Sequence, residues 1–382
     1  MASHAQRIER IASLVAEPSV SSAVPELNHS NRRVIDKLAD WLDAAGFAVE
    51  IMPLPNAPNK ANLLATLGRG TGGLVLAGHT DTVPFDQALW QSDPFQLTER
   101  DGKLHGLGSA DMKGFLALAL EAADGVNPDA LRAPLMILAT ADEETSMDGA
   151  RALVQQQRPK ARHAIIGEPT DLRPVRAHKG IFMEQIRLIG RTGHSSDPRL
   201  GNNALDGMTR VLQALLTLRD ELAQRYHNDA FALPYPTLNL GRIHGGDSPN
   251  RICGECALDL DLRLVPGMQL DEMRTLVRQR ATDAVAGLGL TFEATALFEG
   301  VPAFELARDA ELLRVAEELT GEAAQTVAFG TEAPYLAALG SDTIVCGPGG
   351  IDQAHRPDEY VRADQLAPTV QLLQAMVARF CQ

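Results

Sequence analysis

The chain is poor in cysteine, in basic residues and in long apolar runs, and each scarcity removes a class of protein. Four cysteines among 382 residues cannot build a dense disulfide framework. Cys253 and Cys256 form a lone CxxC, but a zinc ribbon needs a second pair and redox motifs open a helix, so this pair reads as small residues entering a strand. No stretch approaches the ~20 apolar residues that span a bilayer, so no membrane partner is expected. Ile8, Ile11, Leu14 and Val15 recur at helical spacing with Arg7, Glu9 and Arg10 between them, which makes an amphipathic helix, not a signal or an anchor. A cytoplasmic location is the expectation. Lys and Arg number 35 against 49 Asp and Glu, a formal charge of −14. Nucleic-acid binding draws on clustered cations, so nucleic acid is excluded as a partner.

What remains is a globular chain. Its 45% hydrophobic and 22% charged residues suffice for a packed core, and its length exceeds the ~250–300 residues at which a single core stops growing. Residues 31–45 place Val34, Ile35, Leu38, Trp41, Leu42 and Ala45 on one helical face, with Gly46 as the stop. Buried strands are expected at 62–67, 74–77, 135–139 and 164–166, with helices at 114–123 and 148–157. This alternation predicts an α/β domain with a mostly parallel sheet and helices on both faces. From 177 to about 297 the order changes to strand, long helix, two strands, helix, strand, the βαββαβ ferredoxin-like pattern. Leu258, Leu260, Leu262 and Leu264 alternate there with Asp259, Asp261 and Arg263, giving one buried and one wet face. Helices at 309–320 and 365–380 around an apolar run at 343–346 restore the first texture. The expected organisation is a catalytic domain over 1–176 and 298–382, interrupted by an inserted lid or dimerisation domain over 177–297. An open sheet face invites a homodimer.

The chemistry-bearing residues stand where strands should end. His79 and Asp81 follow one strand, Glu143 and Glu144 a second, Glu168 a third, and His355 comes after a fourth. Asp111 lies in a loop just before a helix. Ligands of open α/β sheets bind beyond the carboxyl ends of the strands, so these groups converge on one crevice. Singly, each carboxylate is a turn or cap residue and each histidine a packing residue. Together they need a cation, because gathered carboxylates repel one another and lose hydration. Imidazole and carboxylate without thiolate suit catalytic Zn²⁺, with Co²⁺ or Mn²⁺ as substitutes. The set is too large for one tetrahedral site and fits two metals sharing a carboxylate, while one of the Glu143-Glu144 pair stays free as a general base.

Gly78-His79-Thr80-Asp81, Asp111-Met112-Lys113-Gly114, Asp142-Glu143-Glu144, Gly167-Glu168-Pro169-Thr170 and the late His355 resemble the dinuclear zinc amidohydrolases of amino-acid metabolism, a family of deacetylases, desuccinylases, aminoacylases and carboxypeptidases. The resemblance spans nearly the whole chain. It implies that His79, Asp111 and Glu168 hold one zinc and that Asp111, Glu144 and His355 hold the other. It also implies that Glu143 is the base, that Asp81 orients His79, and that His194 reaches an active site as an oxyanion donor. The implied reaction is hydrolysis of a small N-acyl amino acid. Ala177-His178-Lys179-Gly180, Thr331-Glu332-Ala333-Pro334 and the segment from Tyr235 to Arg251 look like the branch that acts on N2-acetyl-L-ornithine in arginine biosynthesis. Acetylcitrulline, succinyl-diaminopimelate and other N-acyl amino acids are the alternatives. A non-catalytic metal-binding dimer is the alternative of a different class. Asn250 and Arg251 are candidates for the substrate carboxylate, since Arg offers a two-pronged fork, and Glu332 for the δ-ammonium.

Overall fold

The computed structural model describes residues 3–382, which divide into two compact units: residues up to 176 with 306–325 and 331–382, and residues 177–305 with 326–330. The larger unit is built on a sheet whose strands lie side by side in the order Ala48–Leu54, Ala57–Leu67, Leu135–Thr140, Leu74–His79, His163–Pro169 and Asp342–Gly347. The last four run parallel, and the first two add antiparallel to one side. Leu74–His79, Leu135–Thr140 and His163–Pro169 are buried at every position, as strands are when helices cover both faces of a parallel sheet. Helix Lys113–Ala123 supplies part of that cover, packing on strand Leu74–His79 and on helices His4–Val15 and Ala363–Cys381. Helix Arg32–Ala44 packs on the antiparallel strands, burying Val34, Ile35, Leu38 and Leu42. It stops where Gly46 takes a φ of +87°, a conformation that costs glycine no steric penalty.

The smaller unit follows the order strand Gly180–Ile189, helix Ala204–Arg225, strands Thr237–Gly245 and Glu255–Leu264, helix Leu270–Ala284 and strand Thr291–Ala296. Its four strands are all antiparallel, with Glu255–Leu264 and Gly180–Ile189 central. Cys256 and Leu258 to Leu264 at alternate positions pack with Met208, Val211, Leu215, Leu218, Met273 and Val277 of the two helices. The period-two pattern of one element therefore meets the helical period of the others. The unit extends to Glu305, past the 297 at which the strand pattern stops. Val301 exchanges backbone hydrogen bonds with Ile181, and Phe304–Glu305 pairs with Ala177–His178. Such partners are distant in sequence and leave no periodicity to read.

A third, three-stranded sheet has no counterpart in the sequence reading. Thr98–Arg100 and Tyr360–Arg362 flank Lys103–His105. Among the described residues no helix is long and apolar enough to cross a membrane.

Candidate metal centre

Three parallel strands deliver the first donors. His79 ends one strand, Glu143 and Glu144 follow the strand that ends at Thr140, and Glu168 lies near the end of the third. Asp111 comes from the loop before helix Lys113–Ala123, and His355 follows the turn Ile351–Gln353 after the strand Asp342–Gly347. His79 Nε2 lies 2.9 Å from Asp111 Oδ1 and 3.8 Å from Glu168 Oε2. His355 Nε2 lies 2.9 Å from Glu144 Oε2 and 3.6 Å from Asp111 Oδ2. Two sets of donor atoms close to within 4.8 Å of one another: His79, Glu143 and Glu168, and His79, Asp111 and Glu144. The first set includes Glu143, which the family resemblance leaves free, and His355 joins the cluster through its contacts with Glu144 and Asp111.

The electrostatics are those of carboxylates seeking a positive partner. Burial, and then the neighbouring charge of Glu168, pushes Glu143 well above the usual carboxylate range. Burial and Asp111 do the same to Glu168, and Glu144 is raised for the same reasons. Burial works against the charged form of His79, yet the Asp111 hydrogen bond and the surrounding carboxylates raise it overall. Its hydrogen bond to the Glu144 carboxylate, partly offset by burial, lifts His355 to about 9. Glu168 Oε1 is buried with no hydrogen-bond partner, which normally costs a folded protein about 1–3 kcal/mol or more. An orphaned oxygen beside imidazoles and further carboxylates is a donor set that fits a divalent cation such as zinc.

Asp81 meets both the His79 ring and the glutamate pair. The His79 ring bonds through Nδ1 to the backbone carbonyl of Asp81 at 3.0 Å, while the Asp81 carboxylate stands 3.7 Å from that nitrogen. The carboxylate accepts the backbone N–H groups of Glu143 and Glu144, at 3.3 and 3.0 Å. Those donors are nearer than the ring, so the Asp81 carboxylate also holds the glutamate pair by its main chain.

Sequence reasoning missed Lys60, a buried cation whose Nζ donates to Asp142 Oδ1 and to Asn28 Oδ1. A lysine at the start of an apolar run reads as solvated, and only the fold shows what it meets. Glu359, also missed, is buried beside the Asp111 loop. Glu332 belongs to the larger unit and is buried. Thr140 Oγ1 donates to one of its oxygens at 2.9 Å, the other has no partner, and burial raises the carboxyl to about 7. His194, Asn250 and Arg251 are neighbours within the smaller unit. His194 and Arg251 form an isolated bridge, and Ser195 N–H donates to the Asn250 carbonyl at 3.1 Å. Arg251 is paired with Asp247 at 2.5 Å on the surface. Cys253 and Cys256 are free and buried.

Residues 75–379 match the model of peptidase family M20/M25/M40. The chain belongs to this family. Among its curated members, the acetylornithine deacetylase of Edwardsiella ictaluri is 50% identical over 369 residues, 97% of this chain and 96% of that protein. The acetylornithine deacetylase of Pasteurella multocida is 47% identical over 374 residues, 98% of each. Of solved structures, a tripeptidase from Staphylococcus aureus aligns with a TM-score of 0.77 at 21% identity, covering 99% of both chains. The Bacillus subtilis YXEP protein, described as a dinuclear metal-binding peptidase from the M20 family, aligns with a TM-score of 0.67 at 16% identity over 99% of this chain and 98% of its own. At such identities the structural likeness shows the fold. The relatives near half identity share the chain from end to end.

Proposed function

We propose that the chain is a metal-dependent amide hydrolase that cleaves N2-acetyl-L-ornithine to L-ornithine and acetate, the arginine-biosynthetic reaction. The observation that carries the chemistry is the cluster of four carboxylates, buried or half-buried, around His79 with Glu168 Oε1 left unpartnered. Near-half identity to acetylornithine deacetylases over 97–98% of the chain supports the substrate.

In this reading His79, Asp111 and Glu168 hold one Zn²⁺, and Asp111, Glu144 and His355 hold a second, with Co²⁺ as a substitute. Bound there, zinc supplies Lewis acidity toward the acyl oxygen and acidifies the attacking water. Glu143 accepts the proton of that water and returns it to the departing amine. Its proton affinity, raised by burial and by Glu168, suits a group that must both take and release a proton. Asp81 fixes the base through the backbone N–H groups of Glu143 and Glu144. His194 donates to the developing oxyanion, and Asn250 with Arg251 receives the substrate carboxylate. The unpartnered Glu332 oxygen supports that residue as the seat of the δ-ammonium. The chain is read as a cytoplasmic homodimer joined through the smaller unit, whose edge strand Thr237–Gly245 is largely exposed, Ile243 to 50%.

Steady-state turnover of acetylornithine, acetylcitrulline and succinyl-diaminopimelate side by side tests this. Acetylornithine is expected to give the highest kcat/KM, and Glu143→Gln to lose on the order of 10²–10⁴ in rate. A higher kcat/KM for either other substrate ends the assignment.

A further inference from the structure

Glu359 lies four residues after His355 and is 2% exposed. Its carboxylate accepts three backbone N–H groups from the Asp111 loop: Gly108 at 3.2 Å, Ala110 at 2.9 Å and Asp111 itself at 3.0 Å. The join continues along the main chain on either side. The Glu359 carbonyl accepts Gly106 N–H at 3.0 Å, and His105 Nδ1 bonds to the Asp358 carbonyl at 3.0 Å. Tyr360–Arg362 then pairs antiparallel with Lys103–His105. The segment that carries His355 is therefore fastened at its base to the loop that carries Asp111. Beyond that fastening, the His355 side chain is 55% exposed, and the neighbouring residues 351 and 352 are exposed as well.

A carboxylate this buried is costly to keep, and the cations whose charge it meets are the buried Lys113 and the His355 imidazole. Packing alone would be served as well by an apolar side chain. What a carboxylate offers is an acceptor for several N–H groups at once, which gives a loop one conformation. We propose that Glu359 is a positioning residue that sets Asp111 against His355 and so fixes the spacing of donors on the His355 side of the metal cluster. The inference rests on the metal reading above.

The test titrates metal-free protein with Co²⁺ alone, following heat and visible absorption, for the wild type, His355→Ala, Glu359→Gln and Glu359→Asp. The wild type is expected to bind in two phases, and the phase that His355→Ala abolishes marks the His355 side. Glu359→Gln is expected to weaken that phase by at least about tenfold, in the range known for residues that orient metal ligands. The other phase should stay within about threefold, with unchanged circular dichroism. Glu359→Asp keeps the charge but shortens the reach, and should fall between. If Glu359→Gln does not fold, the aspartate variant decides by the same criterion. Unchanged phases, or equal weakening of both, overturn the inference while leaving two-metal binding intact. No Co²⁺ binding by the wild type overturns the metal reading and this inference with it.

Discussion

Lys60 places a positive charge one residue away from the glutamate pair without touching either glutamate. Its Nζ and Ser21 Oγ both donate to Asp142 Oδ1. The Asp142 carbonyl then accepts the Ser146 and Met147 N–H groups at 3.1 and 2.7 Å, closing the turn that displays Glu143 and Glu144. Removing one partner of a buried ion pair leaves the other uncompensated, at a cost of about 3–5 kcal/mol. Lys60→Met is therefore expected to lower unfolding free energy by that amount in urea titration, and Lys60→Met with Asp142→Asn to recover much of it. A double variant no more stable than Lys60→Met would remove the pair as the cause. Most of the metal candidates were legible in sequence because His79, Glu144 and Glu168 stand at or just past the carboxyl ends of strands, where position itself carries information. Lys60 and Glu359 were not, because a single charged residue has no period, and whether it meets solvent or a buried acceptor depends on segments far away in the chain.

Strands and helices impose constraints that no single side chain reveals. Gly167, the residue before Glu168, lies against helix Lys113–Ala123 so closely that an added Cβ would meet Phe115 ring atoms at 2.0–2.2 Å. Phe115 is itself fully buried, so the ring has no free direction in which to yield. Gly167→Ala is expected to cost about 1–3 kcal/mol from overpacking and to weaken Co²⁺ binding, since strand and helix carry Glu168 and follow Asp111. Adding Phe115→Leu should restore part of both, as urea denaturation and Co²⁺ titration would register; no restoration would place the strain elsewhere. At this scale the sequence is highly readable where period and length agree, as in strand Glu255–Leu264 and helix Ala204–Arg225. It is silent for Thr98–Arg100, Lys103–His105 and Tyr360–Arg362, three residues each, which are too short to show alternation and are made strands by their neighbours.

Over the whole molecule, the formal charge of −14 says little about the site, because only a few of the 49 acidic residues belong to it. The division into units says more. Every metal candidate lies in the larger unit. A ligand that binds only the folded state stabilises it by about 4 kcal/mol at a thousand times its Kd. Chelation is therefore expected to speed amide hydrogen exchange in strands Leu74–His79 and Leu135–Thr140. Exchange in strand Glu255–Leu264 of the smaller unit should stay unchanged, as mass spectrometry of the exchanged peptides would read; equal acceleration in both units would contradict it. The same interrupted order of the chain has a consequence in time. Glu168 is made before the smaller unit and His355 after it, a separation of about 187 residues that a ribosome covers in on the order of ten to forty seconds. For that interval the nascent chain carries the acidic donors but not the second imidazole, so the complete cation seat is available only once the whole smaller unit has been made.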